Sequence, residues 1–274
     1  MLKRHAEVVI VVIALLSAAL ISDHTAIAGT NSFSPPLRSR HLEGMKVEDS
    51  DGQKAGIVHN LVLDMNTGNL RYMVIGYGGF FGVHVTLKLA PTQLISAATT
   101  KSQTLAINAT TMQWRNAPAF KYSSLTALAE QDRSGEISRH FQSSAKSAVN
   151  RSEVSLSKTG RDRSFDTYPM QLKFASDLIG LRVVNQKREK MGEVVDLLVS
   201  FGEPRPAFAI ISTGRLFDHQ RQYAVPLQTL SLSKNELTWN VDAAALQSAP
   251  HFDEAAWEAR GGDGRVYGYS TSAD

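Results

Sequence analysis

Apolar and polar residues alternate along one stretch of the chain, and this alternation predicts a strand. From His59 onward, the odd positions of the stretch 56–65 carry His, Leu, Leu and Met, whereas Asn60 and Asp64 lie between them. Since successive side chains of a strand point to opposite faces, this pattern predicts a half-buried strand with the odd-numbered face inward.

The same pattern occurs a second time, 136 residues further along the chain. The segment 42–64 aligns without a gap to 178–200, and the odd face is then Val195, Leu197, Val199 and Phe201. Further correspondences follow with small length changes: Tyr72 with Phe208, Pro91 with Pro226, Asn108 with Asn240, Pro118 with Pro250, and Phe120 with Phe252. The chain therefore reads as a duplication of one small unit.

Each unit reads as a set of short antiparallel strands. Polar and glycine-containing turns at 49–52 and 66–69 separate the strands, and Pro91 and Pro226 mark strand ends because proline cannot donate to a ladder. The strand from Leu70 to Gly76 is apolar on both faces, which fits a central strand or one covered by a neighbouring domain. About six short strands in roughly 75 residues predict an all-β fold of two small, separate, closed β-barrels joined by a flexible linker.

This interpretation divides the chain into six parts. Lys, Arg, Ser and Gln dominate the stretch between the repeats, which is predicted to be a linker with a short amphipathic helix from Ser123 to Gln131. The predicted parts are a signal peptide (1–28), an extended leader (29–40), barrel 1 (41–120), the linker (121–176), barrel 2 (177–252) and a flexible tail (253–274) on which Trp257 could dock onto the second repeat.

The N-terminus predicts export. Lys3 and Arg4 precede an apolar run from Val8 to Ile21, and small residues at 26 and 28 suit signal-peptidase cleavage near Ala28. As a helix the run would span about 21 Å, shorter than the roughly 30 Å hydrocarbon core, so an uncleaved anchor is the less favoured alternative. The chain contains no cysteine, so core packing must hold each unit together. We expect a periplasmic or secreted bacterial protein.

Both repeats contain Leu-x-Gly-x-x-Val, at 42–47 and 178–183, and Gly-x-Val, at Gly56 and Gly192, and the first repeat also has a glycine-rich turn at 78–82. These motifs resemble those of the PRC-barrel family, which includes the reaction-centre H-subunit barrel and the C-terminal barrel of the ribosome maturation factor. The second repeat departs at that turn but keeps Ala-Val-Pro-Leu at 224–227. The resemblance implies tandem barrels that dock to other proteins and transfers no catalytic residue. Exported members look like envelope or stress-associated proteins.

The glycine-rich turn is the best candidate for a partner contact. A phosphate-binding loop would need a lysine and a following helix, and neither follows Gly82. Exposed aromatic and aliphatic side chains at this turn and at its equivalent in the second repeat would form an apolar patch suited to a protein partner. The predicted contact residues are Tyr77, Phe80, Phe81, Leu216 and Phe217.

No metal, cofactor or catalytic site is predicted. Asp49-Ser50-Asp51-Gly52 resembles the start of a calcium loop, but Asn60 stands where a bidentate glutamate is needed. His59 and His84 lie on neighbouring predicted strands, yet His59 aligns with Val195 and is better interpreted as facing the core. A hydrolase triad could be assembled only by free choice among scattered residues.

The charge distribution argues against nucleic acid as a partner. The formal net charge is only +3 and the bases are scattered. The exception is the basic hairpin from Arg182 to Lys190, which is predicted to be a solvated edge that discourages aggregation or, alternatively, a contact for an anionic surface. Membrane contact is thus expected only through that hairpin or an uncleaved signal segment.

These observations favour an exported, non-enzymatic interaction or scaffold module of the cell envelope, in which a tether gives two weakly binding barrels a high effective concentration. The alternative is a periplasmic small-molecule carrier that uses an apolar cleft between the barrels. An enzyme would require His84 or His219 to converge with acids. A homodimer is a further option, because the two-faced apolar strand at 70–75 needs covering.

Overall fold

The computed structural model describes residues 36–78, 85–98, 104–129, 135–141, 170–201, 206–213, 221–241, 246 and 251–259. The predicted signal peptide lies outside these residues, as do all but Pro36 to Arg40 of the leader and most of the linker. None of the helices in the described part is long and apolar enough to cross a membrane.

Short strands make up most of the described chain. The strands of the first repeat and the segment before it are β1 (Leu37–Arg38), β2 (Lys46–Glu48), β3 (Lys54–Asp64), β4 (Leu70–Tyr77), β5 (Thr86–Pro91), β6 (Ile95–Ala98), β7 (Thr104–Ile107) and β8 (Ala119–Phe120). Those that follow are β9 (Leu172–Phe174), β10 (Arg182–Val184), β11 (Lys190–Val199), β12 (Phe208–Thr213), β13 (Arg221–Pro226), β14 (Leu230–Ser233) and β15 (Glu236–Trp239).

The helices are short and lie between or beside the strands. They are α1 (Ser39–Leu42), α2 (Thr111–Asn116), α3 (Leu125–Ala129), α4 (residues 135–141), α5 (Ala175–Leu178) and α6 (Glu254–Ala259). Single 3-10 turns are found at Thr92–Leu94, Tyr122–Ser124 and Leu227–Thr229.

Both repeats have the same strand order. The first sheet runs β6-β7-β2-β3-β4-β5-β8, and the second runs β14-β15-β10-β11-β12-β13. The hairpins β2–β3, β3–β4 and β4–β5 are antiparallel, as the turns predicted, whereas β2 pairs in parallel with β7. Among the described residues the end strands of each sheet do not pair with each other, so each repeat is a curved half-barrel and not a closed one.

Two pairs of glycines explain why the repeated motifs need glycine. Gly44 and Gly180 have φ values of +81° and +86°, a backbone region that side-chain-bearing residues rarely adopt. Each donates its N–H across the sheet, Gly44 to the Val58 carbonyl at 2.9 Å. A Cβ atom at Gly56 would collide with the Gly76 carbonyl oxygen, and one at Gly192 with the Ser212 carbonyl oxygen.

The repeats exchange strands, which differs from the prediction of two separate units. β1, which precedes the first repeat, pairs with β11 of the second, and β9, which precedes the second repeat, pairs with β3 of the first. The registers are equivalent, because Arg38 lies opposite Leu198 and Phe174 lies opposite Val62. The repeats are therefore related as the halves of a pseudo-symmetric dimer within one chain.

A shared core follows from this exchange. Val47 and Val183 are both fully buried and belong to one continuous apolar cluster that spans both repeats. The prediction of two separate closed barrels is wrong for the described residues, whereas the predicted flexible linker lies largely outside them. The physical reason is that a repeat of roughly 75 residues has a marginal core, and covering the second face of its central strands supplies the missing burial.

The predicted inward face of β3 is wrong at its first position. His59 and Val195 are exposed, although Asn60 and Asp196 next to them are buried. The strand register shifts between Val58 and Asn60, and the corresponding shift occurs in β11. A bulge of this kind adds one residue to one strand and so reverses the alternation. Beyond it, residues 60–65 are buried on both faces.

Both regions predicted to be flexible contain ordered helices that pack on the repeats. In the predicted linker, α3 buries Leu128 and contacts β9, and its bounds are narrower than the predicted Ser123 to Gln131. In the predicted tail, α6 carries Trp257, which packs with Phe252 against the buried pair Leu198 and Ile210. The tail is thus not flexible as far as residue 259.

Candidate functional site: the two strand-exchange junctions

The two places where the exchanged strands enter the opposite repeat are equivalent in position but differ in chemistry. At each, a buried polar residue directly after the bulge holds the backbone. Asn60 accepts from the Leu61 N–H at 2.9 Å and the Ser176 N–H at 3.4 Å, and Asp196 accepts from Leu197 at 2.8 Å and Arg40 at 3.4 Å. The backbone geometry of the two junctions is therefore the same.

The junction on the second repeat is ionic. The Asp196 carboxylate is completely buried and accepts from Ser39 Oγ at 2.7 Å and from Arg38 Nη1 at 3.1 Å. Arg40 Nε lies 3.1 Å from the same carboxylate, although the Arg40 side chain is half exposed. A buried carboxylate is tolerated only when it is paired and hydrogen-bonded in this way.

Arg38 completes this ionic junction from the other side. Its side chain is 1% exposed, its Nε lies 2.5 Å from Glu254 Oε1, and its guanidinium lies 5.5 Å from the centre of the Phe252 ring. Its Nη2 has no hydrogen-bond partner, and its Nε interacts with Glu254 only through this ion pair. The guanidinium is thus held by two carboxylates and one aromatic face, with part of its donor capacity unused.

The junction on the first repeat is aromatic. Phe174, which occupies the position equivalent to Arg38, packs edge-on against Phe120 at 6.2 Å and against Tyr122 at 4.7 Å between ring centres. Asn60 replaces the carboxylate and donates from Nδ2 to Ser176 Oγ at 2.8 Å. The side chains at this junction carry no net charge.

A second pair of equivalent contacts ties the sheet to the segment after it. Lys88 is buried and donates from Nζ to the carbonyl oxygens of Trp114 at 2.7 Å and Arg115 at 2.6 Å. At the matching place, the Tyr223 hydroxyl donates to the Leu246 carbonyl at 3.0 Å. Burial lowers the pKa of Lys88 because the charged ammonium loses water.

The predicted partner-contact surface is described only at Tyr77. This side chain is half-buried against the core, with Lys88 Nζ 5.2 Å from its ring centre. Phe80, Phe81, Leu216 and Phe217 lie outside the described residues, so the surface stays a prediction.

The calcium-loop residues have a structural role. Asp49 accepts from the backbone N–H groups of Asp51 and Gln53 and from Thr111 Oγ1 at 2.7 Å, and Asp51 accepts from the Thr111 N–H at 2.8 Å. These contacts fix the start of α2 to the β2–β3 turn. In the part of the chain that the structure describes, no three His, Asp or Glu side chains form a metal-binding group. His84 and His219 lie outside it.

The basic hairpin is not at a sheet edge, contrary to the prediction. Its first strand, β10, lies between β11 and β15. The hairpin is solvated nevertheless, since Arg188 is 72% exposed while it pairs with Glu236 at 2.7 Å. A contact with an anionic surface stays a prediction.

The apolar cleft expected between the barrels is filled where the structure describes it. Leu63 and Val199, which face the exchanged strands, are fully buried. A cavity of about 180 Å³ lies instead beside β5 and β8, lined by Leu89, Phe120, Leu128 and Ile137 with Ser124 and Glu136 as polar groups. This volume is below the range of roughly 300–1,000 Å³ typical of ligand pockets.

Sequence reasoning missed Arg38, Asp196, Phe252 and Glu254 as a cluster. The odd-inward alternation predicted for the two repeated strands places Asp196 on the outward face, and Arg38 falls within the predicted extended leader. One signal could have revealed the site. Aligned polar residues, Asn60 and Asp196, occur in the middle of otherwise apolar strands in both repeats, which is typical of buried anchors.

Two half-barrels that share one core define this chain as a tandem of small β-barrel domains. The family model for the PRC-barrel domain matches it in two segments, residues 37–110 and 170–246, which together make up more than half of its length. The chain belongs to the PRC-barrel domain family, and the resemblance seen in the motifs is confirmed. A search of curated proteins finds no match.

Proposed function

We propose that this protein is an exported, non-enzymatic interaction or scaffold module of the bacterial cell envelope, in which the two barrels act as one body. The observation that carries the proposal is the strand exchange. It holds the two repeats in one compact unit with a common core. The exits of the two equivalent hairpins, after Tyr77 and after Thr213, are thereby held at a fixed spacing. A partner can then be contacted at two points without the entropy loss of ordering a tether.

A binding role also fits how the described residues use their buried ionisable groups. Asp49 and Asp64 anchor turns, Lys88 ties β5 to α2, and Arg38 and Asp196 join the repeats. Catalytic acids and bases instead face a cleft that substrate can reach. We further propose a stress-associated role, because the resemblance implies that exported members of the family are envelope or stress-associated proteins.

Export is tested by the mass of the protein recovered from cells. We expect the mature chain to start near Gly29 and to fractionate with the periplasm or medium. The variant Ala28→Leu, which places a large side chain at the predicted cleavage site, should retain the signal peptide. Wild-type protein that keeps residues 1–28 and stays in the cytoplasm would contradict the export part of the proposal.

Partner binding is tested by site-specific photocrosslinking in intact cells. A photoreactive amino acid at Phe81 or at Leu216 should give the same discrete crosslinked product, because one partner contacts both hairpins. The matched control is Lys234, which lies exposed in the β14–β15 turn and should give no product. Crosslinks at neither loop position, with the protein folded and present at normal level, would refute this function.

A further inference from the structure

The ionic junction has the composition of an arginine-recognition pocket. Two carboxylates, Asp196 and Glu254, and the face of Phe252 surround the Arg38 guanidinium. We propose that this pocket is a binding site for an arginine in an extended peptide, and that Leu37–Arg40 of the chain itself fill it in cis. The inference rests on the proposed interaction function and names the chemistry of one class of partner, an extended basic segment.

The backbone around the pocket already binds an extended segment. Leu37 and Arg38 pair antiparallel with Val199 and Leu198 of β11, which is addition of a strand to a sheet. In this mode the main chain supplies affinity and pockets for alternate side chains supply specificity. The cis ladder has only two residue pairs, so few main-chain ladder hydrogen bonds oppose its replacement.

Arg38, which fills the pocket in cis, does not use all of its hydrogen-bond donors. Nη2 of Arg38 is buried without a hydrogen-bond partner, which costs free energy relative to a fully paired guanidinium, whereas Nε lies in the ion pair with Glu254. An arginine on a peptide that is free to adjust its approach can pair this donor as well. The rim is accessible, because Arg40 and Glu254 are 52% and 37% exposed.

The first repeat shows what makes the pocket selective. The equivalent positions there are Asn60, Phe120 and Tyr122, and they hold Phe174. The second repeat has two carboxylates where the first has the amide of Asn60 and the phenol of Tyr122. The pocket therefore holds a cation in the second repeat and an aromatic ring in the first. The pocket on the second repeat should therefore prefer arginine to phenylalanine, and also to lysine, which lacks the planar fork.

The test uses the full mature chain and a fluorescent peptide with the sequence of residues 36–43. Fluorescence anisotropy is measured with wild-type protein and with Arg38→Ala, in which the pocket has lost its cis arginine. We expect the peptide to bind Arg38→Ala at least about tenfold more tightly than wild type, and to raise the melting temperature of that variant. A peptide with lysine or phenylalanine at the first arginine should bind at least about tenfold more weakly.

A second measurement keeps the proposal testable if Arg38→Ala does not fold. Hydrogen exchange of wild-type protein is followed at the Leu198 and Val199 amides with millimolar peptide, and we expect altered protection there but not at Val62 and Leu63. Absence of any change in wild type, or equal effects of the arginine and lysine peptides, would overturn the proposal. Crosslinks at Phe81 and Leu216 are independent of the pocket, so their presence without peptide binding would refute this inference alone.

Discussion

The two junctions both hold a strand from the opposite repeat, one with ionic side chains and the other with aromatic ones. Both repeats accept a strand from the other at the same register, and both hold it with a polar side chain just after a bulge. Beyond that anchor, one junction buries Arg38 against carboxylates and the other buries Phe174 against aromatic rings. The backbone exchange thus tolerates opposite side-chain chemistry, provided that each set is internally complete.

The comparison also separates two kinds of stabilisation. A buried ion pair loses much of its Coulombic gain to desolvation, so its members depend on one another. Aromatic packing depends on area removed from water and on ring geometry, and its contributions are closer to additive. The ionic junction should therefore be the more sensitive to loss of a single member, and the less costly to replace as a whole.

The largest effect should come from Asp196→Ala. It leaves the buried Arg38 with only the partly exposed Glu254 as an ionic partner, so we expect a loss of about 3–5 kcal/mol in the free energy of unfolding. Urea titration followed by circular dichroism measures it. The matched change Asn60→Ala at the aromatic junction removes only neutral hydrogen bonds and should cost about 1–3 kcal/mol. Equal losses would show that charge plays no special part.

Replacing the whole ionic set should have a smaller effect of opposite sign. The triple variant Arg38→Phe, Asp196→Asn and Glu254→Tyr copies the aromatic junction onto the second repeat. Because no buried charge is left unpaired, its stability should be unchanged or higher by about 1–4 kcal/mol. The same urea titration tests it. A loss as large as that of Asp196→Ala would show that the two junctions are not equivalent in shape.

Lys88 and Tyr223 allow a similar test away from the junctions. Tyr223→Phe removes one hydrogen bond and should cost about 0.5–1.5 kcal/mol. Lys88 differs because burial holds its folded-state pKa below the unfolded value. The unfolded chain then binds more protons in alkaline solution, so stability should rise as pH increases from the lowered pKa toward 10.5.

That rise should be absent in Lys88→Met. The difference in unfolding free energy between wild type and Lys88→Met, measured by urea titration at several alkaline pH values, isolates this one group from other titrations. A difference that stays constant with pH would contradict the assigned pKa shift.

The smallest effect concerns Glu43, next to the ionic junction. Burial and then the Asp196 carboxylate raise the pKa of Glu43 above its ordinary 4.5. A raised carboxyl pKa contributes stability below the unfolded value, and this is lost as pH rises through the folded value. Glu43→Gln should therefore slightly stabilise the protein at neutral pH but not below about pH 4. Thermal melts at both pH values measure it, and a stabilisation that persists in acid would contradict it.

Much of the fold could be predicted because its determinants are local. The gap-free repeat predicted two equivalent units, and the polar and glycine residues at 49–52 and 66–69 predicted the turns of the hairpins. Gly44 and Gly180 are required by positive φ, and Gly56 and Gly192 by the close approach of a neighbouring strand. The positive φ is a requirement of the residue itself, and the close approach comes from the adjacent strand of the same repeat, so both glycine pairs recur in the two copies of the sequence.

The sequence alone determined a duplicated, mostly β protein of the PRC-barrel family, but only the tertiary structure decided that the repeats are one body. β1 and β9 have two and three residues, too few to show any periodicity. The pairing of Arg38 with Asp196 joins positions far apart in the chain, and no local pattern encodes it. A strand that is apolar on both faces does not show which segment will cover each face. That depends on contacts between distant segments, since burial is a property of the assembled chain.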